Sequence, residues 1–292
     1  MRLLLCFLSL AGIVTLPPSA ATCFHPPRQD QPLKVALMAN IFGNLDQDRA
    51  VQQVKTLAAE VEKRTGTKAD FHIAPDMESL ERDMKSDRVQ LAILHGIDYA
   101  RARPYLPKAK PMLIAVSDKP TLQSVVVARS DHKATDILTF KGENFALPGV
   151  TPYHVRLFLK NQVGAEPGQF FQIQETRTAE EALEAVINGK AKATVVSDSV
   201  WDLYQEMKPV RAKRLKVVVE SPPFPAPVLI LRPSPTVDTK LVERFVNAML
   251  KVHESDAGRQ TLTLWRLRRF EQVPQDYTQQ LDAVAKKYPS EK

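Results

Sequence analysis

Residues 144–164 read NFALPGVTPYHVRLFLKNQVG, and the change of period inside this stretch decides the fold. Its first part is a short apolar run with strand character. From Thr151 onward Val155, Phe158, Leu159 and Val163 recur at helical spacing, which predicts a helix with one buried face. Thr151 is read as the N-cap and Pro152 as the first helical residue, where proline sacrifices no hydrogen bond. The helix amino end then projects from the carboxyl end of a strand. Open α/β sheets place ligands there, and free N–H groups favour anions.

The same pattern extends in both directions. Upstream, LKVALMA (33–39) predicts a central strand, followed by the loop 40–44 and a helix to Arg64 that buries Val51, Val54, Leu57, Ala58 and Val61 and stops at Gly66. A strand at 69–74, a helix at 77–85 with Leu80 and Met84 inward, and a strand at 89–94 complete a β-α-β-α-β unit, the signature of a parallel sheet. The pattern then restarts. Strand-like SVVVAR (124–129) precedes strands at 143–147, 169–173 and 192–196, the helix quoted above, and a helix from Ala179 whose Thr178 and Glu181 form a capping box. Strands at 215–219 and 228–231, separated by SPPFPAP, lead out of this second unit. Helices near 237–253 and 276–288 have no strands of their own to cover, so they are expected to return to the first unit. The expected fold is α/β with two lobes. Lobe 1 is 33–123 plus 232–292, and lobe 2 is the inserted segment 124–231. The antiparallel connections near 122–128 and 227–232 form a two-strand hinge beneath a cleft that can close.

Composition fits this plan. The chain has 292 residues, 44% of them apolar, enough for two buried cores. Arg2, the apolar run 3–16 and small residues at Ser19 and Ala21 read as a signal peptide over 1–21, with a mature start near Thr22 and a flexible leader over 22–32. The apolar run is too short for a span of ~20 residues. Cys6 falls within the signal, which leaves Cys23 without a disulfide partner; Thr22 before it disfavours a lipid anchor. Removing Arg2 takes the net charge from +7 to +6, a balance that favours anionic ligands. Lysine and arginine are spread along the chain, so no nucleic-acid partner is expected. The densest group, Arg266, Arg268 and Arg269 beside Trp265, reads as the solvated edge of a helix.

Chemistry-bearing motifs are missing. There is no H-E-x-x-H, G-x-S-x-G, Walker loop or G-x-G-x-x-G, and the six histidines show no ligand spacing, so neither an enzyme, a metal nor a cofactor is expected. What remains is a set of polar residues just after strands: Asn40 and Phe42, His95, then Thr151, Tyr153 and His154, then Ser197 and Asp198. Four strand ends from two lobes, converging on one crevice, would supply donors, an aromatic wall and a carboxylate to a bound solute.

KVALMAN (34–40), FHIAPDMESLERDMKSDRVQLAILHGIDY (71–99), ALPGVTPYHVRLFL (146–159), AEEALEAVINGKAKATVVSDSVWDL (179–203) and SPPFPAPVLILRPS (221–234) together resemble the phosphonate and phosphite type of periplasmic binding protein, in the type II solute-binding superfamily. The resemblance implies a monomeric exported protein that closes on a small anion and delivers it to the permease of an ABC importer. A sensory protein of the same fold, presenting its solute to a membrane receptor or sensor kinase, is the alternative. In that family a run of Ser and Thr followed by Gly starts the helix and holds the phosphorus oxygens. Here only Thr151 keeps a hydroxyl, Pro152 deletes an N–H, and Tyr153 and His154 make the site aromatic. A carboxylate for a ligand amine would fall near Ser197 and Asp198, which extends the expected ligands to zwitterions.

Overall fold

The computed structural model describes residues 32–42, 47–66, 68–235 and 237–289, without the side chains of 42, 47–50, 53 and 264. The leader, both cysteines and the Phe42 side chain lie outside the described residues. Strands β1 (Leu33–Met38), β2 (Ala69–Ala74), β3 (Leu91–Leu94) and β4 (Lys110–Val116) alternate with helices α1 (Gln47–Thr65), α2 (Met77–Lys85) and α3 (Gly96–Ala102). After β5 (Thr121–Leu122) come β6 (Ser124–Arg129), β7 (Asn144–Pro148), α4 (Tyr153–Val163), α5 (Pro167–Phe170), β8 (Gln172–Thr176), α6 (Ala179–Ile187), β9 (Ala193–Ser197), α7 (Asp198–Met207), α8 (Pro209–Ala212) and β10 (Leu215–Glu220). The chain ends with β11 (Phe224–Pro225), β12 (Val228–Leu231), α9 (Thr239–Leu250), α10 (Asp256–Leu264), β13 (Arg269–Gln272) and α11 (Tyr277–Lys287).

Two sheets result, ordered β13-β4-β12-β3-β1-β2 and β10-β6-β9-β7-β8, with β5 and β11 as a separate antiparallel ribbon between them. In the first sheet β1 runs parallel to β2 and β3, as βαβ crossovers require. One face is covered by α1, α9 and α10 through Leu57, Val61, Phe245, Met249 and Leu262. In the second sheet Val155, Phe158 and Leu159 of α4 cover one face and Leu183, Val186 and Trp201 the other. One continuous apolar cluster joins the lobes, running from Leu80 and Ile97 through Phe224 to Phe158.

The structure departs from the sequence reading at several points. Val228–Leu231, assigned above to the inserted segment, lies in the first sheet between β3 and β4. Val228, Leu229 and Ile230 are wholly buried, and a run apolar on both faces needs a central position in a covered sheet. The crossing ribbon is accordingly Thr121–Leu122 with Phe224–Pro225, upstream of the 227–232 segment expected to form it. Residues 167–170 form a short helix with proline in its first turn rather than the start of a strand. Val51 is exposed, not buried. The arginine cluster does not share a helix edge. Arg266 turns the chain with φ 57° after α10, Arg268 pairs with Asp118 at 2.6 Å, and Arg269 opens an unanticipated edge strand, β13.

Thr178 caps α6 as expected, accepting from the Glu181 N–H at 3.1 Å, while the Glu181 carboxylate reaches back to the Arg177 N–H at 3.0 Å. Thr178→Ala is expected to lower the unfolding free energy by about 1 kcal/mol in urea titration.

Candidate functional site

The carboxyl ends of β1 and β3 are neighbours, so the turns that follow them meet. Asn40 lies in a 3-10 turn after β1, and His95 directly follows β3. His95 Nε2 stands 3.3 Å from the Asn40 carbonyl oxygen; because a carbonyl only accepts, that nitrogen carries the proton. Helix α3 begins at once, and His95, Asp98 and Arg101 follow at intervals of three on one side of it. The start of α3 presses on the ribbon so closely that a Cβ on Gly96 would stand 2.5 Å from the Pro225 carbonyl oxygen, a contact only glycine permits.

Asn40 Nδ2 donates to Asp98 Oδ2 at 2.7 Å. An amide oxygen could not sit that close to a carboxylate oxygen, so the amide orientation is fixed. Asn40 Oδ1 is left buried with no donor among the described residues.

The second lobe contributes the start of α4. The Tyr153 ring stacks on His95 with centroids 5.2 Å apart and an angle of 26°. Its hydroxyl accepts from Arg101 Nη1 at 3.2 Å and lies within hydrogen-bond reach of Asp98. Burial, and then the Asp98 charge, push the Tyr153 phenol up to about 12, so it stays protonated and neutral. Arg101 also donates from Nε to the Tyr288 carbonyl at 3.0 Å and from Nη2 to the Pro289 carbonyl at 3.1 Å. His154 Nε2 stands 3.3 Å from the Gln123 carbonyl oxygen, and its ring tilts against Phe224. Burial, reinforced by His95, drives the His154 imidazole down to about 3. Burial also lowers His95, against the opposing pull of Asp98.

Of the residues singled out in the sequence, Asn40, His95, Tyr153 and His154 therefore gather across the lobes, while three have other engagements. Thr151 is no N-cap. Pro152 is extended, with ψ 150°, so α4 starts at Tyr153 and the Thr151 hydroxyl donates to the Pro148 carbonyl instead. Ser197 meets Ser199 at 3.2 Å. Asp198 Oδ1 accepts the Gln123 N–H at 3.3 Å and Oδ2 pairs with Lys119 at 3.5 Å, which ties α7 to the strand crossing. Asp98, Arg101 and Gln123 were not anticipated. The spacing of His95, Asp98 and Arg101 on a helix after a strand was the available signal for the first two. Among the described residues no three His, Cys, Asp or Glu side chains are placed to hold a metal ion.

Alongside this cluster, a groove of about 810 Å³ opens between α4, β7 and β8, with Arg101 and Tyr153 at one end.

The sequence matches, over residues 41–277, the family described as the ABC transporter, phosphonate, periplasmic substrate-binding protein. It is 23% identical over 252 residues to the phosphonates-binding periplasmic protein of Escherichia coli (strain K12), covering 78% of this chain and 70% of that one. Among solved structures, a binding protein component of an ABC phosphonate transporter from Pseudomonas aeruginosa superposes with a TM-score of 0.53 at 16% identity, over 87% of this chain and 86% of its own. PhnD1 from Prochlorococcus marinus in complex with methylphosphonate gives 0.55 at 15% identity, over 87% and 97%. These structures share the type II two-lobe fold, and the family match takes in every strand but β1, together with the ribbon between the sheets. The chain thus belongs to the periplasmic phosphonate substrate-binding proteins of ABC transporters.

Proposed function

We propose that the protein is exported by its amino-terminal leader, closes its lobes about the Thr121–Leu122 and Phe224–Pro225 ribbon on a phosphonate-like solute, and presents the closed form to the permease of an ABC importer. It does no covalent chemistry on that solute. One observation carries the reading: Arg101 of the first lobe bonds Tyr153 of the second beside the Asn40–Asp98 pair, which contains a buried acceptor, Asn40 Oδ1, that lacks a donor. A buried acceptor without a partner costs about 1–3 kcal/mol, which a protonated phosphonate oxygen or an amine on the solute would recover, since an ionised oxygen only accepts. Contacts made from both lobes exist only in the closed form, so a ligand making them drives closure.

The test is a titration calorimetry panel of phosphonates, phosphite and phosphate on the mature protein. Arg101→Ala is expected to weaken the best of them about ten- to a hundredfold, since a hydrogen bond to a charged group contributes roughly 1.5–3 kcal/mol. Equal affinity in the variant would remove Arg101 from the site.

A further inference from the structure

Tyr153 is the first residue of α4, and its side chain fills the space at the amino end of that helix, between His95 and Arg101. Its ring covers His95, and its hydroxyl accepts from Arg101 with the Asp98 carboxylate close by. Pro152 brings no N–H to this helix end, and the Thr151 hydroxyl is turned back to the Pro148 carbonyl. Two donors that would serve a bare tetrahedral group there, an N–H at residue 152 and the Thr151 hydroxyl, are thus missing or turned away.

The space lies on the other side of the ring. Tyr153, Arg156, Leu157 and Lys160 form a stripe at i, i+3, i+4 and i+7 along α4, and all four line the 810 Å³ groove. That stripe is ~10 Å long at 1.5 Å per residue. Leu147 and Ile173 add apolar lining, and Glu166 and Glu175 add two carboxylates. At the Tyr153 end stand two guanidinium groups: Arg101, bonded to the tyrosine hydroxyl, and Arg156, whose Nε donates to the Thr151 carbonyl at 3.0 Å. At the far end Lys160 pairs with Glu166 at 2.7 Å. The volume falls within the roughly 300–1,000 Å³ typical of sites for drug-sized ligands, far larger than one tetrahedral group requires.

We propose that Tyr153 is a specificity-determining residue that closes the oxyanion position to phosphate and methylphosphonate, and that the ligand is a phosphorus oxyanion bearing a bulky apolar substituent. Its charged group meets Arg101 and Arg156, and its substituent lies along the α4 stripe over Leu147 and Ile173. The inference rests on the phosphonate-binding role proposed above and fixes the size class of the solute. Because Arg101 belongs to the first lobe and the stripe to the second, such a ligand still bridges the cleft.

Calorimetry with methylphosphonate, inorganic phosphate and phenylphosphonate tests it on three proteins. The wild type is expected to bind phenylphosphonate at least tenfold tighter than the two compact anions. Tyr153→Ser, which clears the ring and restores a hydroxyl at the helix start, should raise methylphosphonate affinity at least tenfold. Gly168→Trp places an indole in the groove from a position with no atom within 4 Å of its Cβ, so folding is spared, and should weaken phenylphosphonate at least tenfold. A wild type that prefers methylphosphonate, or a phenyl-to-methyl ratio unmoved by both substitutions, overturns the inference and leaves the transport role standing. Failure of all three probes to bind any of the proteins overturns the phosphonate-binding role itself, and this inference with it.

Discussion

Phe224→Ala is expected to lower the unfolding free energy by about 3–5 kcal/mol, the range for deleting a fully buried aromatic ring. Phe224 is 1% exposed, and its loss would open a cavity where three parts of the molecule meet. Its ring packs on Tyr288 at the end of α11 with centroids 4.9 Å apart, and on His154 of α4 at 5.8 Å. Its backbone pairs with Leu122 in the crossing ribbon. The surroundings cannot collapse easily, because the adjacent ribbon is pinned: Tyr277 donates from its hydroxyl to the Ala226 carbonyl at 2.8 Å, and Gly96 abuts Pro225. The loss therefore belongs at the upper end of the range. Urea unfolding at pH 7.5 reads it as a lower midpoint with an unchanged slope. Leu138→Ala, at a position 50% exposed, serves as the control and should stay within about 0.5 kcal/mol of wild type. A Phe224→Ala loss below 1 kcal/mol would mean that the contacts between the lobes through Phe224 contribute little to the folded state.

The difference between what the sequence disclosed and what it concealed follows from length. The long elements announced themselves: the buried faces of α4, through Val155, Phe158 and Leu159, and of α6 repeat over several turns. Two-residue strands have no period, so the ribbon of Thr121–Leu122 and Phe224–Pro225 leaves no pattern among the prolines, and the sequence points to a crossing a few residues further along. Val228–Leu231 has a clear strand composition, but nothing local says which of two sheets receives it; that depends on pairing with Leu91–Leu94 and Lys110–Ile114, more than a hundred residues upstream.

The site shows the same division. Strand ends locate Asn40, His95, Tyr153 and His154, because a strand must deliver its next residue to the sheet edge. Asp98 and Arg101 leave only their spacing of three from His95 as a signal, because α3 is seven residues long and shows no apolar period to orient it. Thr151 depended on one dihedral angle. Had Pro152 taken helical ψ, the threonine hydroxyl would cap α4; at ψ 150° the helix starts one residue later and the hydroxyl turns to Pro148. A residue type suited to two local hydrogen bonds does not declare which it makes. Asp198 illustrates the tertiary counterpart, since its engagement by Lys119 and the Gln123 N–H comes from a strand crossing absent from any local pattern.

The second large effect is a loss of stability in mild acid, in the range where most carboxylates are still silent. His154 is 6% exposed and its imidazole is driven to about 3 by burial and by His95, against an ordinary value of 6.5. Above pH 6.5 the ring is neutral in both folded and unfolded chains, and no pH dependence arises from it. As pH falls below 6.5 the unfolded chain takes up a proton that the folded chain refuses until about 3, so the unfolded state gains. Each unit in that window costs about 1.4 kcal/mol, and the descent from 6.5 to 5.0 removes about 2 kcal/mol through His154 alone. His95 is lowered in the same direction, by burial opposed by Asp98, and adds to the loss. Glu60 and Glu184, whose carboxyls are held below their ordinary value, contribute only as pH drops further through their own range. The same protons oppose closure, because separating the lobes hydrates both rings, so ligand affinity should fall with stability across this window. Urea midpoints at pH 7.5, 6.5, 5.8 and 5.0 test the claim. The wild type is expected to lose stability steadily below pH 6.5, and His154→Gln, which keeps a donor for the Gln123 carbonyl but cannot titrate, should show a visibly flatter profile. A wild-type profile level from 7.5 to 5.0 would mean that both histidines accept protons in the folded protein, and that the His95 and His154 rings are not sealed between the lobes.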